Sequence, residues 1–184
     1  MDGMLEHYIC IHMPERTWTL LCIFGESNET IDEYQPTELM GRAWVVHIPI
    51  HAPKQLLTIT DLGVVPNQFN PGDCLLLRTD WSPYLGQEKY RDELPRISES
   101  LAQWCVTHEV KMLGVEPPSV ADVNNLAEVT TIHHILLKSK VIIIEGLTNL
   151  DQIQKDKVLL IALPLKIKGG DGGPARVIAF EDKS

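Results

Sequence analysis

The sequence predicts a single strand-rich α/β domain, and three observations carry that expectation. Short β-branched or continuously apolar runs of strand length recur along the chain, at Arg42 to Ile50, Asp73 to Thr79, Val141 to Ile144 and Lys157 to Leu163. Between some of them lie segments of helical period. The length of 184 residues suits one domain with a real core and is short for two.

The elements follow from local chemistry. Arg42 to Ile50 lies between Gly41 and a proline-containing stretch and reads as a strand. Asn67 to Gly72 is a turn cluster, and the strand Asp73 to Thr79 leaves it. Ser98 is a helix N-cap with Glu99 in the first turn, and Ile97, Leu101, Trp104 and Cys105 recur at helical spacing to about His108. Met112 to Val115 is a short strand running into the loop Glu116 to Ser119. Ile132 to Leu137 reads as a short helix, and Val141 to Ile144 as a buried strand ending at Glu145. Lys168 to Pro174 reads as a turn, and Ala175 to Phe180 as the last strand. No Lys-Ser or Lys-Thr follows the glycines at 169–173, which excludes a phosphate-binding loop.

Composition narrows the function classes. With 44% hydrophobic residues and mean hydropathy near zero, the chain reads as soluble and globular. A formal charge of -9 argues against nucleic acid and anionic membranes as partners. The longest apolar run is far short of a membrane span, and the Met-Asp-Gly start lacks the basic and apolar parts of a secretory signal. Cys10, Cys22, Cys74 and Cys105 form no Cys-x-x-Cys pair and read as free thiols of a cytoplasmic protein.

Four blocks in order resemble one family. GDCLLLRTDW (Gly72 to Trp81) resembles G-D-x-V-L-[IL]-R-T-G-W, and MLGVEPPSVAD (Met112 to Asp122) resembles [IL]-G-[IV]-D-T-P-S-x-D. HHILLKSKVIIIEGLTNLDQI (His133 to Ile153) resembles H-R-x-L-L-x-x-x-I-x-I-x-E-x-L-x-N-L. LPLKIKGGDGGPARVIAF (Leu163 to Phe180) resembles P-L-[KR]-[IL]-x-x-x-[DG]-G-[SA]-P-x-R-[AV]-[IV]-A. The resemblance runs from about Thr30 to Phe180 and is to the cyclase and kynurenine formamidase (arylformamidase) family of metal-dependent hydrolases.

That resemblance implies a swivelling β/β/α-type α/β domain that assembles as a homodimer or homotetramer. It implies a one- or two-metal centre of zinc or manganese acting on a small-molecule amide. The family's best-known activity hydrolyses N-formylkynurenine to kynurenine and formate in tryptophan catabolism, and relatives open cyclic imides and isatin. A divalent metal serves such chemistry by acidifying a bound water and polarising the carbonyl. By family position His133 and Glu145 are metal ligands; the adjacent His134 is assigned no role.

The family's other ligands come from an N-terminal motif, H-x-G-T-H-x-D-x-P-x-H-F, whose last His shuttles protons. Here the corresponding stretch is HMPERTWTLLCIF, in which His12 alone can stand for a ligand. Counting on from it, the second His falls at Arg16, the Asp at Trp18 and the proton shuttle at Cys22. A permanently cationic guanidinium repels a metal ion. Residues 1–24 thus read as an aberrant segment ahead of a cyclase-like domain at 25–184, and a non-catalytic homologue is the rival function.

Back-translation gives a reason for the loss. Reading each codon's third base with the first two of the next, Met13-Pro14 forces Ala and Trp18-Thr19 forces Asp. The remaining junctions from Ile11 to Phe24 permit the rest of T-H-A-G-T-H-M-D-A-P-V-H-F, the complete family motif. The stretch therefore reads as a displaced frame that returns to register near Gly25.

Overall fold

The computed structural model describes residues 7–11, 21–23 and 30–182. Among them the strands are β1 (His7–Ile11), β2 (Leu21–Ile23), β3 (Met40–His47), β4 (Leu56–Leu57), β5 (Cys74–Arg78), β6 (Arg96–Ile97), β7 (Met112–Val115), β8 (Ile142–Ile144), β9 (Lys157–Pro164) and β10 (Gly172–Glu181). The helices are α1 (Glu88–Asp92), α2 (Glu99–Thr107) and α3 (Leu126–Lys138), with short 3-10 turns between elements. None of these helices is long and apolar enough to cross a membrane.

Four strands, β3, β5, β7 and β8, run parallel in that order, each pairing with the next. Strand β9 adds antiparallel to β3 and also pairs with β10, while β10 pairs with β2 and β2 with β8. The sheet therefore curls until its edges meet, and β1 lies along β10. Strands β4 and β6 form a separate two-stranded pair.

Period-2 alternation divides the core between the two faces of this curled sheet. On β5, Cys74 and Leu76 join the interior cluster of Ala43, Met112, Ile142, Ile144, Leu160, Ala162, Val177 and Ala179. Leu75 and Leu77 face outward, with Trp44, Leu113 and Ile143, onto Leu101, Cys105, Ile132 and Leu136 of α2 and α3. Both faces of the parallel strands are thus covered, which is why these strands read as continuous apolar runs.

Several boundaries differ from the sequence reading. Helix α3 begins at Leu126 rather than Ile132, because the Asn125 side chain accepts from the Glu128 N–H and caps it earlier. The strand expected to reach Ile50 ends at His47, ahead of Pro49, a residue without an N–H to donate. Gly172, Gly173 and Pro174, expected in a turn, belong to β10 and pair with Ile23, Cys22 and Leu21. The turn is confined to the residues before them, with Gly169 at φ 69°. Ser98 caps α2 as expected, its Oγ accepting from Leu101 N–H at 3.2 Å.

Gly114 on β7 is closely packed by two buried leucines. A Cβ there would lie 2.5 Å from Leu76 Cδ2 and 2.7 Å from Leu147 Cδ1. Gly114→Ala is predicted to lower stability by about 1–3 kcal/mol through overpacking, read as a shifted midpoint in urea unfolding; an unchanged midpoint contradicts this packing. Cys74 and Cys105 are free and buried, and burial pushes both thiols up to about 12. Brief alkylation of the native protein at neutral pH should leave both unmodified, and unfolding should expose them. Peptide mass mapping showing native labelling at either position would refute the burial.

Candidate functional site

The parallel strands deliver polar side chains to a common end. His47 closes β3, Arg78 closes β5, Glu116 follows β7 and Glu145 follows β8. The carboxyl ends of parallel strands are where α/β sheets commonly place ligands, because the loops leaving them are free to vary.

Glu145 is 4% exposed, and its Oε1 accepts from Val120 N–H at 2.9 Å. Helix α3 packs so that His133 Nε2 lies 3.4 Å from the same oxygen. His133 Nδ1 donates to the Val129 carbonyl, one helical turn back, at 2.8 Å. That bond fixes the ring and directs Nε2 at the carboxylate. Burial alone would lower the His133 pKa, but the hydrogen bond and charge of Glu145 and the Val129 carbonyl outweigh it, so the net shift is upward.

The expected meeting of His133 and Glu145 is therefore present. A separation of 3.4 Å is long for a hydrogen bond. It matches the donor-to-donor edge of a tetrahedron with metal–ligand bonds of about 2.0–2.1 Å. A histidine whose other nitrogen donates to a carbonyl is the usual form of a metal ligand. The pair fits a metal as two donors, and a catalytic zinc site takes three protein ligands. Among the described residues no group of three or more His, Cys, Asp or Glu is placed to hold an ion.

His12, Arg16 and Trp18 lie outside the described residues, and of Cys22 only the backbone is described. The register is informative nonetheless. Cys22 pairs with Ile144 in antiparallel β2–β8, so β2 starts beside the end of β8 where Glu145 begins. The chain thus enters β2 at the His133–Glu145 end of the sheet.

A second carboxylate, Glu116, was not singled out from the sequence. It is 1% exposed and accepts from Thr79 N–H at 2.6 Å, Thr79 Oγ1 at 3.1 Å and Trp81 N–H at 3.2 Å. Burial raises its pKa, against the lowering effect of those bonds. Tyr90, on α1, donates its hydroxyl to the Glu116 carbonyl at 2.8 Å. Burial, and then the charges of Glu116 and Glu145, push the Tyr90 phenol upward, so both carboxylates act on one neighbourhood.

By holding the amides of Thr79 and Trp81, Glu116 frames Asp80, which has φ 52°. Asp80 stands where the family pattern R-T-G-W has glycine, and aspartate is among the few side chains that tolerate this conformation. Its Oδ1 accepts from Arg78 Nε at 2.7 Å and its Oδ2 meets His47 Nε2 at 2.8 Å. Partial burial works against ionisation of Asp80, but the hydrogen bonds from Arg78 and His47 and their charges leave its pKa lowered. The departure from glycine in that block was the available signal for this cluster. A cleft of about 650 Å3 opens beside it, lined by Arg78, Asp80, Ser82, Glu116, Thr148 and Asp151 among others.

Comparison with known proteins agrees with this architecture. The chain is 35% identical over 121 residues to the kynurenine formamidase of Erythrobacter litoralis (strain HTCC2594), covering 66% of this chain and 53% of that protein. It thus spans about half the length of that curated relative. Isatin hydrolase A from Labrenzia aggregata, solved bound to benzyl benzoate, superposes with a TM-score of 0.76 at 23% identity, over 86% of this chain and 67% of that one. A structure described as a potential metal-dependent hydrolase with cyclase activity gives a TM-score of 0.71 at 23% identity, over 90% of this chain and 80% of that one. These structural likenesses establish the shared α/β fold. The Cyclase family, described as Putative cyclase, matches residues 11–122 by sequence profile, and the chain belongs to that family.

Proposed function

We propose that this domain carries the site of a metal-dependent amide hydrolase of the arylformamidase type, and that the chain as written holds only half of its metal centre. The observation that carries this reading is the His133–Glu145 pair, a ring-fixed imidazole and a buried carboxylate 3.4 Å apart at the carboxyl end of β8. Likeness to kynurenine formamidases supports the formamide substrate, with N-formylkynurenine as the natural candidate and tryptophan catabolism as its setting. Isatin-type hydrolysis is the neighbouring reading within the same fold. The working form is a cytoplasmic homodimer or homotetramer.

Zinc or manganese, when bound, would supply an acidified water and a polarised carbonyl. His133 and Glu145 would hold it from one side. Val129 keeps His133 in the tautomer with its Nε2 lone pair available, and Val120 N–H fixes one Glu145 oxygen. Arg16, Trp18 and Cys22 stand at the positions of the remaining ligands and the proton shuttle, and none of these supplies the function its position needs. That substitution favours a binding-only homologue for the chain as it stands.

Two measurements check this reading. The full chain, dialysed against a mild chelator, should retain much less than one zinc or manganese ion per chain, since His133 and Glu145 are joined at most by His12 and a cationic Arg16 stands at the next ligand position; stoichiometric metal would contradict it. Replacing residues 11–23 with T-H-A-G-T-H-M-D-A-P-V-H-F should restore metal uptake and N-formylkynurenine hydrolysis together, because one block supplies both ligands and shuttle. Metal uptake with turnover of isatin alone would move the function to the imide-type reaction, and no uptake would defeat the half-site account.

A further inference from the structure

The cleft beside Glu116 has a charge pattern of its own. Arg78 is the cation among the residues that line it, and Asp80, Asp151 and the buried Glu116 are its acids. Arg78 spends its Nε on Asp80, and its two Nη groups make no hydrogen bond among the described residues. Asp151 is exposed at the rim. The 3-10 turn Leu150–Gln152 presents Asp151, and Glu145 begins the loop leading into that turn. Glu116 belongs to both places: it lines the cleft, and the loop it begins is tied to the loop after Glu145 by Gly146 N–H donating to Pro117 O at 2.9 Å.

A pocket with one guanidinium among several carboxylates disfavours a simple anion, which meets more acids than bases. It disfavours an uncharged ring as well, because desolvating these groups returns nothing. A ligand end carrying both signs satisfies it. We propose that this cleft seats the α-amino-acid head group of the substrate, its carboxylate on the Nη groups of Arg78 and its ammonium toward Asp151 and Asp80. The inference rests on the formamidase reading, in which the scissile amide lies at His133 and Glu145. It adds the specificity determinant, since an N-formylated aryl amino acid carries such a head group and isatin or a cyclic imide carries none.

Binding to the full chain tests this without turnover. Titration calorimetry would compare L-kynurenine, 2-aminoacetophenone (the same aryl ketone without the head group) and L-homophenylalanine (a head group without the aminoaryl ketone). L-Kynurenine should bind at least about ten-fold more tightly than 2-aminoacetophenone, as charge-assisted hydrogen bonds imply. Arg78→Gln and Asp151→Asn should each erase most of that difference while leaving 2-aminoacetophenone unchanged; Asp151 is exposed, so its variant retains the fold. Equal affinity of the two aryl ketones, a difference that survives both substitutions, or no measurable binding of either amino acid overturns the proposal. L-Homophenylalanine binding as tightly as L-kynurenine, with the same dependence on Arg78, supports the head-group site while removing the formamidase reading.

Discussion

Two buried carboxylates at the ends of neighbouring parallel strands are the constraint from which the rest of this site follows. Glu116 leaves β7 and Glu145 leaves β8, and both are almost inaccessible to solvent. Burying an ionised carboxylate costs several kcal/mol unless hydrogen bonds replace its lost water. The fold supplies those bonds from backbone amides: Thr79 and Trp81 for Glu116, and Val120 for Glu145. Each bond ties one strand-end loop to another. Gly146 N–H to Pro117 O and Leu147 N–H to Val115 O complete the lacing. The loops that shape the cleft are therefore held by the same groups that provide its charge.

The asymmetry between the two carboxylates separates their roles. All the side-chain hydrogen bonds described for Glu116 come from the 79–82 turn, so it is a positioning residue. It keeps Asp80 in its left-handed conformation between Arg78 and His47. Glu145 takes one amide and faces an imidazole at a distance too long for a strong hydrogen bond, which leaves capacity for an ion. On the reading proposed here, chemistry belongs with Glu145 and recognition with the turn that Glu116 braces.

Much of this was legible in the sequence for physical reasons. The parallel strands are buried on both faces, so they appear as uninterrupted apolar runs, and Leu75 to Leu77 or Ile142 to Ile144 announce themselves. His133 and Glu145 were legible only through their resemblance to a family block; neither residue type in that context names a ligand. The closure of the sheet was not legible, because the β10–β2 and β2–β8 pairings join segments far apart in the chain and leave no local signal; β9 and β10, by contrast, are consecutive strands joined by a short glycine-rich connection. Glu116 was hidden for a similar reason: its partners lie more than thirty residues away. Gly172 to Pro174 looked like a turn because glycine and proline weaken strand signals, yet pairing with β2 overrides local propensity.

Strand β2 connects the fold to the anomaly in the sequence. Its register beside β8 brings the chain in at the Glu145 end, where the family motif would meet His133 and Glu145. The central claim is that the missing half of the centre was lost to a displaced frame, and the coding DNA across codons 11–24 tests it most directly. The account predicts a CAC codon for His12, CGC for Arg16 and TGC for Cys22, so that the shifted frame spells histidine at each of those junctions. Any other codon at Arg16 or Cys22 would contradict it.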